Sequence, residues 1–184
     1  PSLKGDFQKD NAATAIMALQ ALGEKKLAIS AHNIRQGLCS IQLKGRFETL
    51  QQQPLVITDV AHNPHAVASL VTQLQAQPTE DKTYVVIAML ADKPVSEVVE
   101  LLLPVVDGWY TAGLEDESRG LSSTEMSSMV ESALVAHSSA GVKLCSELTV
   151  EAAIAAAIKT AQAQDRIVIL GSFYTVAAAT RYFS

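Results

Sequence analysis

The chain has 184 residues, of which 48% are hydrophobic and 18% are charged, and its formal net charge is −5. This composition excludes a disordered chain and predicts a packed α/β protein with one sizeable core and an appendage. The acidic balance argues against a nucleic-acid partner, and the apolar runs are too short to predict a membrane span. Two separated cysteines, Cys39 and Cys145, indicate free thiols in a reducing cytoplasm.

The first forty-four residues are predicted to be a helical segment. The stretch Asn11–Leu22 is rich in alanine and leucine and contains no proline, and Gly23 is a suitable stop signal. A second, shorter helix is predicted around Ile29–Leu38, ending near Gly37. We therefore expect residues 1–44 to form a helical region that precedes the main domain.

From residue 45 onward, short β-rich runs alternate with amphipathic stretches, so residues 45–184 are predicted to form a second domain. Apolar strands separated by helices predict a mostly parallel, Rossmann-like sheet with helices on both faces. The first two strands are joined by a short link around Gln52–Pro54, which allows a hairpin and therefore predicts one antiparallel edge strand. The predicted strands are 46–51, 54–60, 83–90, 108–113, 142–145 and 166–171, and the predicted helices are 65–77, 95–103, 122–137, 150–163 and 174–182.

Three turns that follow predicted strands contain polar residues or glycine: "DVAHNPH" at 59–65, "LADKP" at 90–94 and "GSFYT" at 171–175. In open parallel sheets, ligands bind beyond the carboxyl ends of the strands. If these ends lie side by side, the three turns form one cleft. Ser172 follows a glycine at the start of a predicted helix, a position that suits an anion such as a carboxylate. The cleft is therefore the first candidate for a functional site.

The first of these turns has two interpretations. Asp59, His62 and His65 have the spacing of carboxylate and imidazole metal ligands, which would indicate a metal-dependent enzyme. Alternatively, Asn63 caps the helix that begins at Pro64, and His65 is an exposed residue of its first turn. A non-catalytic Rossmann-like binding domain is a further alternative that the residues leave open.

The sequence contains no phosphate-binding loop. Gly108 and Gly113 have the glycine spacing of a Walker loop, but Leu114 and Glu115 follow where lysine and serine or threonine are needed. The GxGxxG pattern is also missing from the sequence. The phosphates of a bound nucleotide would therefore have to be held by something other than this chain.

Five segments occur in an order that resembles the dihydrofolate synthase/folylpolyglutamate synthase family of the Mur ligase superfamily: "GDFQKDNAATAIMAL", "KGRFETL", "VITDVAHNPHAV", "VIAMLADKP" and "ILGSFYTVA". The resemblance covers essentially the whole chain and implies the C-terminal domain of an ATP-dependent ligase at residues 45–184, preceded at residues 1–44 by the last helices of the ATP-binding module. It implies that an N-terminal module absent here holds Mg²⁺ and most of the ATP and of the dihydropteroate or folate. It further implies an acyl phosphate that the amine of L-glutamate attacks, and a fragment that is inactive alone.

The same resemblance implies roles in nucleotide binding for three residues. Asn11 matches the asparagine that reads the adenine edge, and Arg46 of "GRFE" matches an arginine that contacts the nucleotide across the domain boundary. Asp59 matches the aspartate that accepts hydrogen bonds from the ribose hydroxyls. An ionised carboxylate suits that role, because charge-assisted hydrogen bonds are the stronger ones.

For the reacting groups, the resemblance implies a supporting catalytic role for His62 and contacts to L-glutamate from Ser172 and Lys93, with Asp92 as a further candidate for the same cleft. No residue has the pattern of a covalent nucleophile, and this chain is expected to supply no metal ligand. The expected partners are ATP, L-glutamate, dihydropteroate or folate and the absent module. We expect a cytoplasmic monomer that binds neither nucleic acid nor membrane.

Overall fold

The computed structural model describes residues 7–23, 29–41, 43–79, 81–139 and 141–184. The chain divides into two units, Pro1–Lys44 and Gly45–Ser184, and each unit is described by itself. Among the described residues, no helix combines the length and apolar character that crossing a membrane requires. The assignment of the first unit to the end of an ATP-binding module remains a prediction.

The first unit contains two helices, α1 (Phe7–Leu22) and α2 (Ala31–Ser40). Helix α1 begins four residues before the predicted start and ends at Leu22 as predicted, before Gly23 at a φ of 70°. The prediction that the second helix ends near Gly37 is wrong, because Gly37 lies inside α2. A glycine inside a helix costs only about 1 kcal/mol relative to alanine, which a helix with a capping box can tolerate.

The second unit is a six-stranded sheet with helices on both faces, which confirms the predicted fold class. The strand order is β1-β2-β6-β3-β4-β5; β1 runs antiparallel to β2, and all other neighbours are parallel. The strands are β1 (Glu48–Gln52), β2 (Leu55–Thr58), β3 (Thr83–Ile87), β4 (Gly108–Ala112), β5 (Lys143–Glu147) and β6 (Arg166–Leu170). The helices are α3 (Pro64–Ala76), α4 (Val95–Leu102), α5 (Ser123–Ala136), α6 (Val150–Thr160) and α7 (Phe173–Tyr182), with a short 3-10 turn at Leu103–Val105.

The first strand begins two residues later than predicted, and this difference concerns a candidate site residue. Gly45 and Phe47 both have positive φ angles, of 66° and 48°, so the backbone turns before Glu48. An extended strand requires negative φ, and Arg46 therefore belongs to the turn and not to β1. A Cβ at Gly45 would approach side-chain carbons of Val60 and Val176 to within 3 Å, so this turn requires glycine.

The core lies in two layers, one on each face of the sheet. Strands β3 and β6 are buried along their whole length, and their residues alternate between the two layers. Helices α3, α4 and α5 cover one face, whereas α6 and α7 cover the other. Trp109 of β4, the single tryptophan of the sequence, is fully buried in the first layer.

The strand order places the three predicted turns at one edge of the sheet, because β2, β6 and β3 are neighbours. Helix α3 leaves β2 towards one face, and α7 leaves β6 towards the other, which opens a crevice between their starts. Gly171, at a φ of 116°, lets the end of β6 approach β3, since a Cβ there would lie 2.5 Å from the carbonyl oxygen of Ala88. The fold thus produces the cleft that the sequence predicted.

Candidate ligand-binding cleft

A cleft of about 290 Å³ lies at the carboxyl ends of β2, β6 and β3. Its lining includes three of the predicted site residues, His62, Lys93 and Ser172. These residues come from three separate turns of the chain, which the strand order brings together. Phe173 and Tyr174, at the start of α7, also line the cleft, and both side chains are exposed. We refer to this site as the strand-end cleft.

One ring nitrogen of His62 forms a hydrogen bond with the protein backbone. Its Nδ1 lies 2.7 Å from the carbonyl oxygen of Val60, an acceptor that requires Nδ1 to carry a proton. In the neutral ring, Nε2 is then unprotonated and can accept a hydrogen bond or a proton. Asn63 follows as the cap of α3, where its side chain accepts from the N–H of Ala66 at 2.9 Å, and Pro64 begins the helix. The predicted capping role of Asn63 is thereby confirmed.

Ser172 lies at the cleft but uses its hydroxyl to hold α7 in place. The Oγ accepts from the N–H of Thr175 at 3.0 Å and lies 2.7 Å from the Thr175 Oγ1. That Oγ1 donates to the carbonyl oxygen of Ala88 at 2.8 Å, so the Ser172 hydroxyl is the donor to Thr175. What Ser172 offers a ligand is therefore the first turn of α7, whose leading N–H groups have no acceptor within the helix. Its predicted contact with L-glutamate stays a prediction.

Lys93 belongs to a cluster of charged side chains at the mouth of the cleft. Its Nζ lies 2.9 Å from the Asp92 Oδ2, and an Nη of Arg119 lies 3.4 Å from the same oxygen. Arg119 lines the cleft as well, although no motif in the sequence points to it. It lies in the connection between β4 and α5, far along the chain from the three predicted turns. Only a tertiary contact could have revealed it.

Asp59 is buried beside the cleft and is not among its lining residues. Its Oδ2 accepts from the N–H of Phe47 at 2.9 Å, and its Oδ1 accepts from the N–H of Ala61 at 2.8 Å. The N–H of Val60 also bonds to the carbonyl oxygen of Gly45 at 2.9 Å. The "GRFE" turn and the "DVAHNPH" turn are therefore joined into one structure, in which Asp59 is the central acceptor.

Burial and neighbouring groups shift the pKa of the Asp59 carboxyl in opposite directions. Its burial raises the pKa above the ordinary value, because a charged carboxylate loses hydration there. The N–H groups of Phe47 and Ala61 and the charge of Arg46 act in the opposite direction. Arg46 itself is half-buried in the turn before β1. Two of the carboxylate lone-pair positions are used, so a further donor such as a hydroxyl can still be accepted.

Asn11 lies on α1 of the first unit and is described with that unit. Its side chain is exposed, and its Nδ2 donates to the Gln8 Oε1 at 3.1 Å. An exposed amide one turn from a buried glutamine has both a donor and an acceptor available to a ligand. Its proposed contact with adenine stays a prediction.

The metal interpretation of the first turn receives no support from the geometry. Within the described parts of the chain, no three His, Cys, Asp or Glu side chains converge as a set of metal ligands. Both oxygens of Asp59 face backbone N–H groups, and the Nδ1 of His62 faces a carbonyl. His65 is exposed in the first turn of α3, as the alternative interpretation predicted.

Comparison with known protein families gives one match over most of the second unit. A family described as "Mur ligase, glutamate ligase domain" matches residues 45–173. The matched range includes His62, Lys93, Arg119 and Ser172 of the strand-end cleft and the Asp59 turn.

Several similar proteins are named dihydrofolate synthase/folylpolyglutamate synthase. The chain is 40% identical over 167 residues to the dihydrofolate synthase/folylpolyglutamate synthase of Escherichia coli (strain K12), covering 91% of this chain and 36% of that protein. A structure of the Escherichia coli FolC with DHPP and ADP gives a TM-score of 0.76 at 38% identity, covering 93% of this chain and 38% of the other.

A third similar protein has a structure with L-glutamate bound. It is a bifunctional folylpolyglutamate synthase/dihydrofolate synthase described with Mn, AMPPNP and L-glutamate bound, with a TM-score of 0.73 at 38% identity, covering 89% of this chain and 37% of that one. The chain thus spans less than two fifths of the length of each of these relatives.

Proposed function

Since the chain belongs to the Mur ligase family and contains its glutamate ligase domain, we propose that it is the C-terminal part of an ATP-dependent ligase that adds L-glutamate to dihydropteroate, to folate or to both. The observation that carries this proposal is the strand-end cleft, where His62, Lys93 and the start of α7 come together inside the matched range. The names of the relatives supply the substrates that the proposal assigns.

The proposal divides the work between this chain and an N-terminal module. Mg²⁺ and the phosphates of ATP are held mainly by that module, since this sequence has neither the Walker pattern nor a described cluster of metal ligands. Transfer of a phosphoryl group from ATP to the carboxylate of the pterin or folate substrate gives an acyl phosphate. The amine of L-glutamate then displaces phosphate and forms the amide bond. This chain is inactive by itself under the proposal, because it holds only part of the machinery.

The residues of this chain position the amine and exclude water when the two parts close. His62 supports the reaction, since its Nε2 can accept a hydrogen bond or a proton from the incoming amine while Val60 fixes the ring. Lys93 and the start of α7 at Ser172 hold the carboxylates of L-glutamate. Neither role requires a covalent intermediate on the protein.

The nucleotide is contacted by three residues in this proposal. Asp59 accepts from the ribose hydroxyls with its remaining lone pairs, and Arg46 contacts the nucleotide from the turn before β1. Asn11 reads the adenine edge with its exposed amide. The joined turns around Asp59 support this assignment, because hydrogen bonds from Phe47 to Asp59 and from Val60 to Gly45 hold the turn that contains Arg46 beside the carboxylate.

A titration of backbone amide NMR signals tests the nucleotide half of the proposal. We expect ATP with Mg²⁺ to shift signals at Asn11, Arg46 and Asp59, and Zn²⁺ alone to cause no specific shift. Zn²⁺-dependent shifts at Asp59, His62 and His65 without a response to ATP would instead indicate the metal-dependent enzyme. The isolated chain can be used here because weak binding is measurable by this method.

A chimera tests the reaction itself. The matching segment of the Escherichia coli enzyme is replaced by this chain, and ATP-dependent incorporation of L-glutamate into dihydropteroate and tetrahydrofolate is measured. We expect an active chimera, an inactive isolated chain and a loss of turnover in the His62→Ala chimera. A folded His62→Ala or Arg46→Gln chimera with full activity would favour the non-catalytic binding domain.

A further inference from the structure

We propose that Arg119, together with Lys93, binds a carboxylate of the incoming amino acid, and that Asp92 holds both cations until that carboxylate arrives. This inference rests on the proposed ligase function and extends it to Arg119, for which neither the family resemblance nor a sequence motif provides a role; for Asp92, so far only a candidate for the cleft, it specifies a role. Three features carry it: the way the chain fixes the backbone of Arg119, the charges around Asp92, and the position of Arg119 and Lys93 in the lining of the strand-end cleft.

The connection between β4 and α5 is bonded to the segment that follows β3, at Arg119 itself and at Leu121. The carbonyl oxygen of Arg119 accepts from the N–H of Ala91 at 2.8 Å, and the N–H of Leu121 donates to the carbonyl oxygen of Met89 at 3.2 Å. Leu90 and Gly120 pair between these bonds as an antiparallel bridge. The backbone of Arg119 is thus held next to the loop that carries Lys93.

A glycine makes this fastening possible. The N–H of Gly120 donates to the carbonyl oxygen of Glu117 at 2.9 Å, which curls the connection back on itself. A Cβ at position 120 would lie 1.7 Å from the carbonyl oxygen of Leu114, a distance that no side chain can occupy. Glycine at position 120 therefore permits this close approach, and the backbone hydrogen bonds at Arg119 and Leu121 hold this part of the connection beside the cleft, although the Arg119 side chain is 64% exposed.

Two cations share one carboxylate at the cleft mouth, and the described residues that line the cleft include no acidic side chain. Lys93 and Arg119 both approach a single oxygen of Asp92, at 2.9 and 3.4 Å. The hydrogen bond from Lys93, with Arg119 nearby, lowers the pKa of the Asp92 carboxyl, which is therefore ionised at neutral pH. Two cations with one anion attract a further carboxylate, and a guanidinium has the planar pair of donors that fits it.

The shape of the cleft favours a small ligand with two anionic ends. The cations lie on the loops after β3 and β4, whereas the start of α7 at Ser172 presents N–H groups to the same space. One carboxylate can therefore lie at Arg119 and Lys93, and another at α7. Amino acids with a carboxylate side chain have this pair of groups, and neutral amino acids have only one of them. The ligand class of the strand-end cleft is accordingly an acidic amino acid.

An NMR titration of the 184-residue chain with L-glutamate tests the inference, with L-glutamine as the probe that lacks the side-chain carboxylate. We expect L-glutamate to shift the signals of Lys93, Arg119 and Phe173 and to bind more tightly than L-glutamine. The Arg119→Gln variant should bind L-glutamate about tenfold more weakly, the order expected when a charge-assisted hydrogen bond is lost. The Asp92→Asn variant should bind it more tightly, since an internal competitor is removed.

Arg181 provides a matched control. It is similarly exposed and forms a comparable ion pair with Glu151 at 3.4 Å, but it does not line the strand-end cleft. We expect Arg181→Gln to change the affinity for L-glutamate by less than about twofold. Equal effects of Arg119→Gln and Arg181→Gln, or no L-glutamate-dependent shift in the cleft at all, would overturn the inference.

The same samples separate this inference from the proposed function. If ATP shifts the signals of Arg46 and Asp59 and the chimera is active, but L-glutamate binding does not depend on Arg119, only the role of Arg119 fails. If L-glutamate binding depends on Arg119 but the chimera is inactive and ATP gives no response, the carboxylate site stands and the ligase assignment fails.

Discussion

Charged side chains lie at both ends of the parallel strands, and the two groups have different roles. We call the end where the strands begin the amino edge and the end where they finish the carboxyl edge. At the amino edge, the charged residues Asp107, Asp165 and Arg166 are bonded almost entirely to backbone. Asp107 accepts from the N–H of Thr83 at 2.8 Å, and Asp165 accepts from the N–H groups of Lys82 and Gln162 at 3.0 and 2.6 Å. These carboxylates stabilise the loops that lead into the strands, because they accept hydrogen bonds from backbone N–H groups.

Arg166 completes the amino edge. Its guanidinium donates to the carbonyl oxygens of Leu74 and Gln77 at 3.1 and 2.6 Å, at the end of α3, and to the Thr83 Oγ1 at 3.0 Å. A cation at a helix C-terminus also interacts favourably with the helix dipole. Arg166 is only 4% exposed, so its donors are directed into the protein.

At the carboxyl edge, the charged groups have partners that a ligand can replace. Lys93 and Arg119 pair with the side chain of Asp92, which is itself 43% exposed, and His62 directs one ring nitrogen away from its backbone acceptor. Asp59 and Ser172 differ from these residues, because their hydrogen bonds to backbone N–H groups stabilise the turns that position the others. A charged group can bind a ligand when its present partner can be displaced. A charged group that is bonded to buried backbone stabilises the fold instead.

The largest expected effect comes from removing the guanidinium at the amino edge. Arg166→Met should lower the free energy of unfolding by about 3 kcal/mol, because it removes the guanidinium hydrogen bonds to the carbonyl oxygens of Leu74 and Gln77 and to the Thr83 Oγ1. Urea unfolding followed by the fluorescence of Trp109 measures this change in the second unit alone. Arg181→Met, which removes an exposed arginine, is the control. A loss below about 1 kcal/mol would contradict the structural role of Arg166.

The next effect concerns Asp59, whose carboxylate accepts hydrogen bonds from backbone N–H groups as the carboxylates at the amino edge do. Asp59→Asn should lower the free energy of unfolding by about 2 kcal/mol, because an amide has one acceptor oxygen for the two N–H groups of Phe47 and Ala61. The same unfolding experiment measures it, with Asp92→Asn as the exposed control. If the two variants were equally stable, Asp59 would not be the central acceptor of the joined turns.

The pKa of Asp59 sharpens this prediction. Burial raises this pKa in the folded chain above the ordinary 3.8. At pH values between the unfolded-state and the folded-state pKa, the folded chain therefore binds the proton more tightly than the unfolded chain does. The contribution of Asp59 to the free energy of unfolding is therefore largest below pH 3.8 and is lost as the pH rises through the folded-state pKa. A pH titration of the carboxyl ¹³C signal, assigned by comparison with Asp59→Asn, measures it. A midpoint at or below 3.8 would show that the hydrogen bonds outweigh burial.

The smallest effect on stability is expected in the strand-end cleft. Lys93→Met should change the free energy of unfolding by less than about 0.5 kcal/mol, since an exposed ion pair contributes little. In the chimera, the same substitution should raise the KM for L-glutamate, because the ammonium group is proposed to hold a carboxylate. If Lys93→Met destabilised the chain as much as Arg166→Met, the proposed difference between the two edges would be contradicted.

Much of the fold could be predicted because local patterns agreed with the tertiary structure. The buried strands β3 and β6 are continuous apolar runs, and the short link to β2 required the antiparallel edge strand. The cap at Asn63 also followed from its neighbour Pro64. Predictions failed where a local signal was overruled, as at Gly37, which continues α2, and at Phe47, whose left-handed backbone delays β1.

The sequence by itself determined the fold class, the turns that carry His62, Lys93 and Ser172, and the family resemblance, because each of these depends on residues close together in the chain. Only the tertiary structure decided which turns are neighbours, that Asp59 bonds to Phe47, and that Arg119 joins Lys93. These contacts join residues that are far apart in the chain. Strand order and loop closure set them, and both depend on packing over the whole sheet.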